Sequence, residues 1–299
     1  ISPEAPVAVL DFERESFMPG GAANVARNLT ALGGRAELFT VLGRDEAGVR
    51  LRRLLEGDAV ACGGCLTHDS RPTSIKTRIL ACRQQIVRVD RETRDDLDAE
   101  ARRALLRAIG SRLDGADAVI VGDYGKGVVS QPLLDELRVR CRERGIWLSM
   151  DPKPVHRLDL SRLSLITPNR KEAFELGGQQ DQAHGGKRPS DASLAEAVKR
   201  LLARLEPALL LVTLGEAGML LCRRGAAPFR IPTVAREVFD VSGAGDTVIA
   251  TFTLVIAAGG SPVEAAVLSN HAAGVVVGKV GTASVATEEL VASFRRHSP

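Results

Sequence analysis

From about residue 100 onward, apolar runs of strand length alternate with segments of helical spacing, and little sequence is left between them. Leu97 to Leu113 places apolar residues at helical intervals, Ala101, Leu105 and Ile109 among them. Ala118-Val119-Ile120-Val121 follows, bounded by Gly122 and Asp123. Ser130, with Pro132 in the first turn, is the expected N-cap of the next helix, and Gly145 is where that helix should end. Ile146 to Met150, Leu163 to Thr167 and Leu209 to Thr213 are further strand-length runs, the last preceded by a helix over Leu194 to Leu205. Strand, helix, strand at this rhythm predicts an α/β fold, a mainly parallel sheet with helices on both faces. The 299 residues are read as a single domain.

Composition narrows the partners. Hydrophobic residues at 44% and charged residues at 26% are ordinary for a globular chain, while 3% aromatics leaves the core to Ala, Val, Leu and Ile. A net charge of +3 is too balanced for nucleic acid or an anionic membrane to be the main partner. No stretch approaches the roughly 20 apolar residues that span a bilayer. Val248 to Ala258, interrupted by Thr251 and Thr253, suits a buried helix instead. Cys62, Cys65, Cys82, Cys141 and Cys222 are odd in number and scattered, which reads as reduced thiols in a cytoplasm. Cys62-x2-Cys65-x2-His68 offers three possible zinc ligands where a structural site needs four, and the CxxC lacks the strand-to-helix setting of a redox pair. His184 and His271 carry no catalytic mark.

Residues 60–92 break the alternation. Ile75/Thr77/Ile79 and Gln85/Val87/Val89 mark two alternating segments, Thr73 to Ala81 and Gln84 to Glu92, joined near Cys82-Arg83. They are expected to pair antiparallel, apart from the main sheet, with Lys76, Arg78, Arg83 and Arg88 on a polar, basic face. That face is either solvated or a lid over an anionic ligand. Gly177 to Asp191 reads as a mobile polar loop.

In open parallel sheets, ligands bind beyond the carboxyl ends of the strands. The residues just past the apolar runs are Asp123, Asp151, Asn169 and Thr213-Leu214-Gly215. Turn chemistry explains any one of them; four together point to a polar rim. The strongest local feature is Asp240-Val241-Ser242-Gly243-Ala244-Gly245-Asp246, running into an apolar helix over Thr247 to Ala258. Glycines at a helix N-terminus open backbone N–H groups to an anion. A carboxylate beside a phosphoryl site makes sense as a base for the attacking hydroxyl; its alternative is an N-capping Asp beside a turn. Gly243-x-Gly245 is not a dinucleotide fingerprint, and no P-loop is present. Gly20-Gly21-Ala22-Ala23-Asn24 opens a second helix, with Val25, Ala26, Leu29 and Leu32 as its buried side and Asn24 either a hydroxyl ligand or a surface residue.

At Asp240 to Asp246 the sequence resembles the closing signature of the ribokinase-like (pfkB) sugar kinases. The Gly20-Gly21…Asn24, Asn169-Arg170-Lys171-Glu172 and Thr213-Leu214-Gly215 segments fall in that family's order. Val241 stands where many members have Thr, and Thr247 where a smaller residue is usual. With Ile1 to Val7, Arg83 to Asp90, Asp123 to Gly127 and Gly274 to Lys279, the chain is most similar to D-glycero-β-D-manno-heptose 7-phosphate kinases. The resemblance implies a ribokinase-like α/β domain with a small β lid drawn from 60–92. It implies transfer of the ATP γ-phosphoryl to the C1 hydroxyl, giving a 1,7-bisphosphate on the route to ADP-heptose and lipopolysaccharide core.

By the family's motif Asp246 is the catalytic base, and the Gly243, Ala244 and Gly245 amides form the anion hole. Asn169, Arg170, Lys171 and Glu172 match the ATP/Mg²⁺ segment, with Asn169 and Glu172 acting through the metal or its waters. Thr213 and Gly215 fall near the nucleotide phosphates, and Asn270 near the adenine. Gly20, Gly21, Asn24 and Asp123 would face the sugar. Arg78, Lys126 and Lys153, with Arg83 and Arg88, are candidates for a cationic clamp on the distal phosphate, and Gln84 and Gln85 for sugar hydroxyls. A cytoplasmic homodimer formed through the lid is the implied assembly.

Two departures from the family's pattern stand out. Its members open with a strand carrying a sugar-binding Asp, whereas this sequence begins at Ile1-Ser2-Pro3, after that point, and Asp11 is in the wrong context to replace it. Many bacterial relatives carry a C-terminal adenylyltransferase, and here a kinase alone is expected. The competing readings are a pfkB kinase of another sugar or sugar phosphate, and a non-catalytic sugar-phosphate-binding member of the fold.

Overall fold

The computed structural model describes residues 9–81, 84–179, 191–235 and 237–295. Helix α1 (Ala22–Ala31) leads to β1 (Thr40–Gly43), α2 (Glu46–Gly57) and β2 (Cys65–His68). Strands β3 (Ile75–Ala81) and β4 (Gln84–Arg91) follow, then α3 (Ala99–Gly110), β5 (Ala118–Gly122), α4 (Gln131–Arg144) and β6 (Trp147–Asp151). The chain continues through β7 (Leu165–Ile166), α5 (Arg170–Leu176), α6 (Asp191–Leu205), β8 (Leu209–Thr213), β9 (Met219–Cys222) and β10 (Phe229–Ile231). Helices α7 (Ala244–Ala257), α8 (Pro262–Val276) and α9 (Thr287–Arg295) complete it. None of the helices among the described residues is long and apolar enough to cross a membrane.

The main sheet has the order β10-β9-β8-β7-β6-β5. Strands β5 to β8 are parallel, as the alternation predicts, and β9 and β10 return antiparallel. Because successive strand residues point to opposite faces, Leu210 and Val212 join the core cluster that includes Leu134, Phe174 and Leu201. Leu209 and Leu211 join the opposite cluster, which includes Val248, Phe252 and Ala265. The two clusters lie on the two helical layers. A fully buried Leu such as Leu211 contributes about 1.5–3 kcal/mol by leaving water.

Several local expectations shift. Ser130 is at the N-cap of α4, but its hydroxyl makes no capping bond; Gly145 ends that helix in the left-handed conformation as expected. The run over Leu163 to Thr167 narrows to a two-residue ladder, although the Ser164 and Thr167 amides still donate to Leu148 and Met150. Helix α7 starts three residues before Thr247, because Gly243 adopts φ +80° and serves as N-cap. Asp246 therefore lies inside the first helical turn and is not the capping residue. Most of the polar loop over Gly177 to Asp191 lies outside the described residues.

Strands β3 and β4 form their own antiparallel sheet, with a register shift between Ile79 and Leu80. β2, within the 60–92 segment, pairs parallel with β1 and does not join this sheet. The expected basic face is mixed, since Lys76 lies opposite Asp90, which also receives Arg88 at 3.0 Å. Arg83 lies outside the described residues. Between β1 and β5, whose outer edges have no strand partner among the described residues, opens a cavity of about 3510 Å³.

Candidate active site

Asp246 is carried on α7 and is 8% exposed. Its Oδ2 accepts the Asn24 amide at 2.9 Å, and its Oδ1 accepts the Tyr124 hydroxyl at 2.8 Å. Burial pushes its carboxyl up to about 6, against the pull of those two donors. Asn24 is fully buried, which removes the surface alternative; it belongs to a network in which Asn28 donates to Asn24 Oδ1 and Thr247 donates to Asn28. The motif ahead of the helix is held by Asp240, which accepts the Ser242 and Gly281 amides at 2.8 and 3.0 Å. Of the three amides expected to form the anion hole, that of Ala244 donates to Val241 at 3.2 Å. Gly245 and Asp246 lie in the first turn, where a helix leaves its own N–H groups unused.

The cavity reaches this carboxylate. Gly20, Gly21, Arg78, Asp123, Lys126, Gly243 and Asp246 all line it, and β3 forms part of its wall. Asp123 is buried and accepts the Gly125 amide at 2.8 Å. Lys126 is paired with Glu92, which also receives Lys76 at 3.2 Å and Arg94 at 3.2 Å. Lys126 above all, with these other cations, holds the Glu92 carboxyl down to about 2. Gln84 and Gln85 lie at the end of β4, and neither they nor Lys153 line this cavity.

A second group gathers at the ends of β6, β7 and β8. Asn169 forms a bridge with Thr213, so the two strand exits meet. Asn169 and Glu172 make a capping box at α5: Asn169 Oδ1 accepts the Glu172 amide and Glu172 Oε2 accepts the Asn169 amide, both at 3.0 Å. Lys153 donates to the other Glu172 oxygen at 3.2 Å. Arg170 and Lys171 occupy the first turn of α5, with Lys171 exposed and 3.7 Å from Glu175. Gly215 follows with φ +59°. Asn270 is buried on α8, where its amide donates to the Pro232 carbonyl at 2.8 Å.

Asp151, at the end of β6, is pushed well above the carboxylate range by burial, with the charges of Asp246 and Glu172 adding to it. Sequence reading placed Asp151 on the rim but gave it no role. It missed Tyr124 as a partner of Asp246; a hydroxyl one position past a strand exit was the available signal.

Residues 3–289 match the pfkB family carbohydrate kinase. The chain belongs to that family. It is 43% identical over 294 residues to the bifunctional protein HldE of Geobacter sulfurreducens and 45% identical over 297 residues to that of Geobacter metallireducens. Each alignment covers 98% of this chain and 59% of the relative, so the chain spans about three fifths of their length. Among solved structures, the fold is similar to phosphofructokinase-2 from Escherichia coli in complex with substrates and products, at TM-score 0.79 and 19% identity over 99% of this chain and 93% of that one. Arabidopsis thaliana ribokinase complexed with ribose and ATP superposes at TM-score 0.72 and 19% identity, covering 91% and 86%. Family membership and these neighbours together give a chain of the pfkB carbohydrate kinase family with a ribokinase-like fold.

Proposed function

We propose that this chain phosphorylates the C1 hydroxyl of D-glycero-β-D-manno-heptose 7-phosphate, giving the 1,7-bisphosphate for ADP-heptose and lipopolysaccharide core. The observation that carries the chemistry is the buried Asp246 carboxylate, held by two donors at the cavity wall beside the start of α7. Similarity to the HldE proteins over nearly the whole chain supports the heptose acceptor.

In this reading the acceptor hydroxyl hands its proton to Asp246 as its oxygen bonds to the γ-phosphorus and the bond to the ADP oxygen breaks. A carboxyl poised near 6 is ionised at neutral pH and still basic enough to take that proton. The Gly243, Gly245 and Asp246 backbone, at the positive end of the α7 dipole, stabilises charge growing on the phosphoryl oxygens. Arg78 and Lys126 line the acceptor side and are the cations suited to the distal phosphate, Lys126 exchanging Glu92 for it. Gly20, Gly21 and Asp123 shape the sugar site, and Asn24, buried behind them, serves it by holding Asp246.

Thr213, Gly215, Arg170 and Lys171 border the nucleotide side, with Asn270 behind the adenine. Among the described residues, no group of three or more His, Cys, Asp or Glu side chains is arranged to hold a metal. The Asn169 amide and Glu172 carboxylate, side by side at the start of α5, are oxygen donors that suit Mg²⁺, which keeps several waters and takes most of its remaining ligands from nucleotide phosphates. Asn169 and Glu172 would hold it through those waters. When bound, it supplies charge neutralisation at the phosphates.

The reading includes a homodimer, because β3 and β4 expose Ile79, Val87 and Val89 on one face of a small sheet. It also places the protein in the cytoplasm, where ATP is available. ADP release measured over a panel of sugars tests the assignment. Heptose 7-phosphate should give the highest kcat/KM, and no turnover with it would overturn the heptose reading. Asp246→Asn should lower kcat by about 10²–10⁴ with nucleotide binding kept.

A further inference from the structure

Tyr124 and Asp246 stand 122 positions apart in sequence, yet the phenol donates to Asp246 Oδ1 at 2.8 Å while Asn24 takes Oδ2. Each carboxylate oxygen thus has one donor, and the two donors come from different elements, the loop after β5 and helix α1. The fold gives up side chains to keep the ring there. A Cβ on Gly21 would stand 3.2 Å from the Tyr124 ring, and one on Gly122 would stand 2.8 Å from it. Gly21 has φ +56° and needs glycine for its backbone as well, whereas Gly122 has no positive φ. At Gly122 the ring alone excludes a side chain.

We propose that Tyr124 is a positioning residue for Asp246, its hydroxyl and the Asn24 amide clamping the carboxylate by one donor per oxygen so that it faces the acceptor cavity. The proposal rests on the reading of Asp246 as the base. A phenylalanine would fill the same space between Gly21 and Gly122, so packing by itself does not call for the hydroxyl. Clamped at both oxygens, the carboxylate loses rotational freedom, and each oxygen keeps a lone pair for the incoming hydroxyl.

The groups facing Asp246 define what the clamp does electrostatically. Tyr124 comes from the loop after β5 and Asp151 from the end of β6, while Asp123 bears on Tyr124. From α1 come only the neutral Asn24 and Asn28, because Arg27 turns to the Thr282 carbonyl and Asp58. Asp240, ahead of α7, is engaged by Ser242 and Gly281. No cation directly pairs with Asp246 among the described residues, so hydrogen bonds are what oppose burial there.

Tyr124 is the one tyrosine in the chain, so its phenol can be altered without touching any other residue. Tyr124→Phe removes the hydroxyl and keeps the ring; growth on 3-fluorotyrosine keeps the shape and makes the phenol a stronger donor. The readout is the acid limb of kcat/KM for the sugar in the full chain. Tyr124→Phe should lower kcat about 10-fold and move the acid limb up by about half a pH unit or more, with sugar KM and thermal midpoint little changed. The fluorinated protein should move the same limb down by a few tenths of a pH unit. If the limb stays fixed in both proteins, the clamp is wrong, even where Tyr124→Phe loses rate. Asp246→Asn assayed alongside separates the two readings. Near-normal turnover in that variant removes Asp246 as base, while an inactive Asp246→Asn beside an unshifted Tyr124→Phe overturns the clamp alone.

Discussion

A methyl group on Gly243 would stand 2.6 Å from the Asn24 amide nitrogen, the atom that donates to Asp246. Gly243 also holds φ +80°, a conformation that costs an ordinary residue about 1–2 kcal/mol. Gly243→Ala should therefore lose about 2–3 kcal/mol in urea denaturation, the strain joined by the displacement of Asn24. Its kcat should fall as well, because the shifted amide no longer holds Asp246.

Gly245 is a different kind of glycine. No atom lies within 4 Å of where its Cβ would be, its φ is not positive, and it sits inside α7. Alanine there should be neutral or stabilising by up to about 1 kcal/mol, since it favours the helix. Nothing in the fold requires glycine, so a ligand approaching the backbone is the remaining reason for it. Gly245→Ala should keep or raise the thermal midpoint while lowering kcat/KM for ATP about 10-fold or more. Unchanged kinetics would place the phosphoryl group elsewhere.

The Asp246 carboxyl titrates near 6 in the fold against 3.8 when exposed. The folded state thus binds this proton more tightly than the unfolded chain does. Stability attributable to the group falls as pH rises from about 4 to 6, and the loss is complete above that range. Asp246→Asn removes the buried charge, so it should be about 1–2 kcal/mol more stable than wild type at pH 8, part of the gain being offset by a lost hydrogen bond. At pH 4 the difference should close. Chemical denaturation at the two pH values reads it directly.

Glu92 works in the opposite sense. Lys126, Lys76 and Arg94 hold its carboxyl down to about 2, below the usual 4.5. Its contribution is fully present above about pH 4.5 and is lost as the pH falls toward 2. Glu92→Gln should be less stable than wild type by on the order of 1 kcal/mol at pH 6, allowing for the exposure of Arg94 and Lys76. The gap should narrow steadily below pH 4.5. Because Glu92 also holds Lys126, the variant tests the distal-phosphate role too. Freed from its partner, Lys126 should bind the sugar phosphate with a lower KM.

The alternation of apolar runs was enough to place β5, α4, β6 and β8 within a residue, and α6 at its end but three residues late at its start, because side-chain periodicity is set locally by strand and helix geometry. Strands β9 and β10 were not foreseen; they are short, and their antiparallel return turns on Gly218 at φ +83°, where a Cβ would meet the Ile231 carbonyl at 2.0 Å. The two lid strands and their antiparallel pairing were legible in the alternation, but their register, with its shift between Ile79 and Leu80, was not. Nor was the lid's charge, since Asp90 falls opposite Lys76 only once the two strands are paired.

Residues 240–246 and the apolar helix after them announced, within seven positions, a glycine-lined turn and a carboxylate at a helix start. Chain folding decided what that carboxylate touches. Asn24 reaches it across 222 positions and Tyr124 across 122, and no local pattern encodes contacts of that separation. Packing α1 and the β5 exit against α7 excludes water from Asp246, and that desolvation, opposed by two donors, sets the acidity the proposed chemistry needs.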